Sequence, residues 1–376
     1  MKKVLFVATV VKAHIMVFHI PYLKWFKENG YETYVCARND FGNKEDCVIP
    51  YCDHYYDLPF ERSPFKFNNI KAYKELKNII EFNEFEIIHC HTPMGGVLTR
   101  LSAQKARKKE TKIFYTAHGF HFFKGAPVKN WLFYYPVEFF LARYTDVLIT
   151  INKEDYARAK KYLKAGRVEY IPGVGINTEN FRKITVDKLA KRRELGIPED
   201  AFVVLSVGEI NKNKNHETII RALAKLDDPD VHYVICGKGH LENSLKQLAS
   251  SVGLMDRLHL LGFRGDIGEI CKMSDVFCFP SFREGLGLAA LEAMATGLPL
   301  VTSNVHGIVD YSVDGKTGYN FKPTDVTGFV NAIAKLKDND DLRSTIGKNN
   351  VEFVNSFDFR ISKTKMQEIY LKSLPE

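Results

Sequence analysis

A chain of 376 residues is long for one hydrophobic core and comfortable for two domains. Its 45% hydrophobic and 26% charged residues are ordinary for a globular protein and exclude a disordered, low-complexity or short-period repeat chain. The formal net charge of +8 is local: residues 100–180 carry 15 Lys and Arg against 7 Asp and Glu, and the segments on either side balance. Such an excess suits an anionic surface, either phospholipid headgroups or a phosphorylated acceptor, or else a merely solvated basic face. No nucleic-acid partner is expected.

Met1-Lys2-Lys3 before the apolar run Val4–Val11 resembles a signal peptide only superficially. The run is short, Lys12 and His14 follow at once, and no small-residue cleavage site appears. It reads as a first strand. No stretch reaches the ~18 uninterrupted apolar residues of a spanning helix. The seven cysteines lack metal-like Cys-x-x-Cys spacing and read as buried free thiols of a reducing cytoplasm.

Strands are predicted at Lys3–Val7, Glu32–Cys36, Glu86–Cys90, Lys112–Thr116, Asp146–Ile151 and Val168–Ile171, with helical stretches between them such as Ile70–Phe82 and Met94–Lys108. This alternation predicts a parallel, helix-covered sheet with ligands at the carboxyl ends of its strands. Three loops should meet there: Ala8–His14 with Thr9, His91–Gly96, and Thr116–Phe123 with His118 and Gly119. The histidines 14, 91, 118 and 121 share no ligand motif, so no metal site is expected. Lys124–Tyr144 crowds Trp131, Leu132, Phe133, Tyr134, Tyr135, Phe139 and Phe140 between basic residues. That composition suits an interfacial helix or a helix buried in its own domain, and Pro136 counts against one continuous helix.

After the turn Ile171–Asn177 and a charged linker, the alternation repeats: Phe202–Val207, Val231–Cys236, Leu258–Leu261, Asp275–Phe279 and Leu300–Ser303. The predicted domains are 1–177 and 178–356, with a terminal helix at 357–376 as the candidate to cross back to the first. The stretch Phe279–Pro299 runs strand, glycine loop, helix. The unpaired amides of a helix start hold anions, and glycines let a phosphate approach the backbone. Glu284 and Glu292 flank this device; carboxylates repel phosphate but accept from hydroxyls. The ligand that fits has phosphates between two polyhydroxylated parts: a sugar, a diphosphate and a ribose. Asp228/Asp230 and Asp338/Asp340 lie in polar turns and read as solvated.

Ser281, Arg283, Glu284, Gly285, Gly287, Glu292, Ala293, Met294, Ala295, Gly297 and Pro299 resemble the Glu-x7-Glu motif of family 4 glycosyltransferases. The resemblance extends over most of the chain. It implies two Rossmann-like α/β domains facing each other across a cleft, the GT-B architecture. It also implies that Glu284 contacts the donor sugar and Glu292 the ribose, with Gly285, Leu286, Gly287 and Leu288 around the diphosphate. His118 falls on the histidine that faces the sugar and reacting phosphate. Lys214 falls on the lysine of the phosphate clamp, whose arginine and glycine are replaced here by Glu209 and Asn215. Lys212 or Arg264 could compensate. Gly237 matches the next glycine turn, and Phe263 and Arg264 follow the strand where family members seat the base. Gly307, Asp310, Gly315 and Gly318 match the last glycine-rich motif. Together with His14–Lys24, the sequence looks most like bacterial transferases for capsule, exopolysaccharide or other lipid-linked glycans. The implied reaction is retaining transfer from a nucleotide diphosphate sugar, chiefly a UDP-sugar, to a lipid-linked or growing glycan. No metal or other cofactor is expected, and the protein is expected to be cytoplasmic and peripheral at the inner face of the plasma membrane. An epimerase of the same architecture and a non-catalytic nucleotide-sugar-binding subunit are the alternatives.

Overall fold

The computed structural model describes residues 2–374. It contains two compact units: one holds the chain up to Val174 and from Ser362 onward, the other spans Gly175–Ile361. The division therefore falls at Val174/Gly175, three residues before the sequence boundary.

The first unit is a seven-stranded sheet: β1 (Lys3–Val10), β2 (Glu32–Arg38), β3 (His54–Asp57), β4 (Ile87–His91), β5 (Lys112–Ala117), β6 (Val147–Thr150) and β7 (Arg167–Tyr170). Its order is β3-β2-β1-β4-β5-β6-β7, and every pairing is parallel. Val4 to Val7 are fully buried in succession, as a strand covered by helices on both faces requires. The closing helix, Phe359–Leu371, sets fully buried Tyr370 among Phe26 and Phe114 of this unit.

The second unit is a six-stranded sheet: β8 (Phe202–Val207), β9 (Val231–Cys236), β10 (Leu258–Gly262), β11 (Val276–Phe279), β12 (Leu300–Ser303) and β13 (Gly318–Phe321). It too is parallel, in the order β10-β9-β8-β11-β12-β13. Each unit thus starts in mid-sheet, winds outward to one edge, and crosses to the other side. The point where the winding reverses, between β1 and β4 in one unit and β8 and β11 in the other, is where such sheets open a crevice for ligands.

Two edge strands, β3 and β13, escape the sequence pattern. His54-Tyr55-Tyr56-Asp57 is polar and half-exposed, and Gly318-Tyr319-Asn320-Phe321 opens on a glycine. The stretch 94–108 is two helices, Pro93–Ser102 and Gln104–Arg107. Pro136 does not divide its stretch: one helix runs Val128–Ala142 through it. All seven cysteines are free thiols, five of them buried. Among the described residues no helix is long and apolar enough to cross a membrane.

Candidate functional site

In the second unit the loops after β8 and β11 meet where the strand order reverses. Lys214 Nζ donates to Glu284 Oε1 at 2.7 Å, and both side chains are largely shielded from solvent. The ammonium also lies 4.6 Å from the centre of the Phe279 ring. Two hydrogen bonds fasten one loop to the other: Phe282 N–H donates to the Asn213 carbonyl at 2.9 Å, and the side-chain Nδ2 of Asn213 donates to the Arg283 carbonyl at 2.9 Å.

The replacement of glycine by Asn215 has a conformational explanation. This residue has φ +56° and ψ +37°, the left-handed region that asparagine tolerates better than other side chains. Its Nδ2 reaches the carbonyls of Pro280 (3.0 Å) and Pro323 (2.8 Å). A glycine could supply the backbone shape; asparagine also ties the loop down.

The glycine loop is crowded. Gly287 has φ +93°, and a Cβ there would stand 2.6 Å from the Phe279 ring and 2.9 Å from the Tyr311 hydroxyl. Gly307 packs against Gly285, whose carbonyl would meet an added Cβ at 1.9 Å, and its N–H donates to the Glu284 carbonyl at 3.0 Å. The helix Leu288–Ala295 starts directly after Gly287. Leu286 is buried, and Glu292 is half-buried, with burial pushing its carboxyl up. Gly237 bridges to Gly262 and abuts Gly208 at the start of the lysine loop.

Arg264, the other candidate for the missing clamp arginine, is already paired with carboxylates. Its guanidinium binds Asp266 at 2.6 and 2.8 Å and Glu194 at 3.3 Å. Lys212 is exposed, as is Phe263 at 81%. Glu209 is exposed and accepts from Asn211. Asp228 is held by Lys337, and Asp340 by Arg343. Tyr311 was missed: it is fully buried, and its hydroxyl has no hydrogen-bond partner among the described residues. Only its place after Asp310 could have pointed to it.

In the first unit the reversal point joins β1 to β4. Thr9 N–H donates to Thr92 Oγ1 at 3.1 Å, and the two hydroxyls are 2.6 Å apart. Thr92 holds φ +63°, a strained value for a β-branched residue. After β1 the chain makes a π-turn, Val11–Ile15, whose amides at Lys12 and Ala13 are capped by Asp40 at 2.6 and 3.2 Å. Such widened turns concentrate at functional sites. His14 lies in it, and His19 follows five residues later, with ring centres 5.0 Å apart.

His91 ends β4 and packs against His19, with ring centres 3.8 Å apart and planes tilted by 32°. His118, beside Gly119 after β5, sets Nε2 3.5 Å from His91 Nδ1. Burial holds His118 down at about 4, and His14, His19 and His91 well below the usual imidazole range, so all four are neutral near pH 7. His121 is elsewhere, stacked on Tyr134 at 4.4 Å. No ligand motif runs along the chain; the fold brings His14, His91 and His118 together from separate strand ends and adds His19.

The comparisons with known proteins place this arrangement. The family description "Glycosyl transferase 4-like" matches residues 3–152, and "Glycosyl transferases group 1" matches residues 187–353. EpsD of Bacillus subtilis (strain 168), named as a glycosyltransferase, is 41% identical over 98% of this chain and 96% of its own length. The chain belongs to glycosyltransferase family 4. A second member is the UDP-Gal:alpha-D-GlcNAc-diphosphoundecaprenol alpha-1,3-galactosyltransferase of Escherichia coli, 32% identical over 81% of each chain. The fold is shared with Anabaena HepE, solved with UDP and glucose, at TM-score 0.82 and 20% identity over both whole chains. It is shared also with WaaG, a glycosyltransferase of lipopolysaccharide biosynthesis, at TM-score 0.75 and 17% identity over 97% of this chain and 99% of that one. Both units are thus the Rossmann-like α/β domains of the GT-B class.

Proposed function

We propose that this protein transfers a hexose, with retention of anomeric configuration, from a UDP-sugar to a lipid-linked glycan during polysaccharide synthesis. The observation that carries the reading is the Lys214–Glu284 pair where the second sheet reverses its order. An ammonium has three donors. Glu284 occupies one, which leaves two for a diphosphate. Glu284 keeps its second oxygen, Oε2, as an acceptor for a sugar hydroxyl. The crowded loop at Gly285–Gly287 and the helix behind it offer amides to the departing phosphates. Glu292, raised by burial, takes the ribose, and His118 acts on the transferred sugar.

The acceptor reading rests on the chemistry named for the Escherichia coli relative, whose substrate is a diphosphoundecaprenol-linked sugar. The helix Val128–Ala142 fits an anionic membrane carrying such a lipid. Leu132, Phe133 and Phe140 are 67%, 70% and 46% exposed, whereas Glu138 is buried against Arg100. Apolar side chains outward and a charge inward invert the ordinary surface helix. We place the protein at the inner face of the plasma membrane.

Charge on the leaving diphosphate is met by Lys214 and loop amides, so transfer needs no divalent ion and persists in excess EDTA. Thermal unfolding with a panel of nucleotide sugars tests the donor. One UDP-sugar at 100 times its dissociation constant should add about 2.7 kcal/mol of stability. Stabilisation by none of them, or abolition of transfer by EDTA with restoration by magnesium, contradicts this reading.

A further inference from the structure

Four histidines of the first unit bring one ring nitrogen each within 4.8 Å of one another: His14, His19, His91 and His118. They come from the π-turn region and the ends of β4 and β5. Neither ring nitrogen of His19 has a hydrogen-bond partner among the described residues, and the same holds for Nε2 of His14 and of His91. His19 is 2% exposed and His91 1%. A buried imidazole without partners is costly unless its lone pairs are used. Neighbouring His89 shows the ordinary solution: fully buried, with Nδ1 2.6 Å from the Tyr370 hydroxyl and Nε2 2.8 Å from Thr116 Oγ1. Of the other four, His19 is wholly unsatisfied, His14 and His91 each leave Nε2 unused, and His118 Nε2 reaches only His91 Nδ1, at 3.5 Å.

We propose that these four histidines form a binding site for one divalent transition-metal ion of the zinc class. Neutral imidazoles select zinc, cobalt, nickel or copper over magnesium and calcium, which prefer oxygen. Zinc–nitrogen bonds of 2.0–2.1 Å put tetrahedral ligands about 3.3 Å apart. The widest pair therefore closes by about 1.5 Å, within reach of small χ rotations. His118, the half-buried member, gives the ion its way in. Four protein ligands leave no open position, so the ion has no part in catalysis. Because it occupies His118, it inhibits transfer; that consequence, unlike the site itself, rests on the role proposed for His118 above.

The test uses tag-free, full-length protein stripped of metal and titrated with Co2+ as the probe. The site predicts one Co2+ per chain with the intense visible absorption of a tetrahedral nitrogen-ligand complex, displaced by Zn2+. His19→Phe keeps a ring of similar size and should weaken Co2+ binding at least about 100-fold, since loss of an outer-shell partner alone costs 10–100-fold. His121→Phe, outside the cluster, should bind as the parent does. Transfer by the parent should stop with Zn2+, and transfer by His19→Phe should continue in the same Zn2+. No Co2+ uptake by the parent, a pale octahedral spectrum, or unchanged binding by folded His19→Phe overturns the site. The parent spectrum decides even if that variant does not fold. Tetrahedral Co2+ bound with transfer unimpaired would uphold the site and remove His118 from the reaction.

Discussion

Lys214 carries more of the proposed chemistry than any other side chain, and its position is set by the residue beside it. Asn215 turns the backbone left-handed and ties the loop to Pro280 and Pro323, and Lys214 then points at Glu284. Replacing Lys214 by Ala should weaken UDP-sugar binding by about 1.5–3 kcal/mol, the worth of hydrogen bonds to a charged group. Isothermal titration reads this directly, and an unchanged affinity would remove the lysine from the donor site. The backbone claim has its own check. Asn215→Ala and Asn215→Gly lose the same side-chain bonds, but alanine also resists the left-handed region. Asn215→Ala should unfold at lower denaturant, with a difference of about 1–2 kcal/mol. Equal stabilities would mean that the turn relaxes. The sequence showed a clamp with its arginine gone; it could not show that Arg264 is already held by Asp266 and Glu194, because a carboxylate two residues away in a loop need not face its neighbour, and Glu194 lies 70 residues away along the chain.

At the scale of elements, the helix Val128–Ala142 is the informative one. Arg100 and Glu138 form a buried bidentate pair at 2.8 and 3.2 Å, and the Tyr115 hydroxyl donates to the same carboxylate at 3.2 Å. Breaking one half strands a buried charge, so Arg100→Met should cost about 3–5 kcal/mol. Arg100→Met with Glu138→Met should recover much of that, measured by chemical denaturation; equal losses in both would show that the pair's charges do not matter. The outer face should behave oppositely. Changing Leu132, Phe133 and Phe140 to Ser should leave stability within about 0.5 kcal/mol per site and reduce co-sedimentation with anionic vesicles. If the parent protein stays in the supernatant at low salt, the membrane assignment fails.

The same helix shows why some elements were legible in the sequence and others not. Buried central strands such as Phe202–Val207 and Val231–Cys236 appear with their bounds because an unbroken apolar run has one reading. The edge strands β3 and β13 do not, since solvent lets them stay polar. A proline in the second turn or later argues against a helix on local grounds, yet packing holds Val128–Ala142 together through Pro136. Spacing also concealed the histidine cluster: His14 and His19 are near neighbours, but His91 and His118 join them only through strand pairing.

For the whole molecule, two sheets with the same winding each place their loops at a reversal of strand order, and each reversal collects a different chemistry. The second unit collects a lysine, two glutamates and crowded glycines, which suit a nucleotide diphosphate sugar. The first collects neutral histidines and a strained threonine near a basic, aromatic segment. The measurement that tests the central claim most directly is transfer of labelled sugar from a panel of UDP-sugars to a sugar-diphosphoundecaprenol acceptor, with the anomeric configuration of the product determined. One UDP-sugar should yield an extended lipid-linked product of retained configuration, and Glu284→Gln should abolish it while the protein remains folded. Free sugar or epimer as the sole product, an inverted linkage, or full activity of Glu284→Gln would contradict the account.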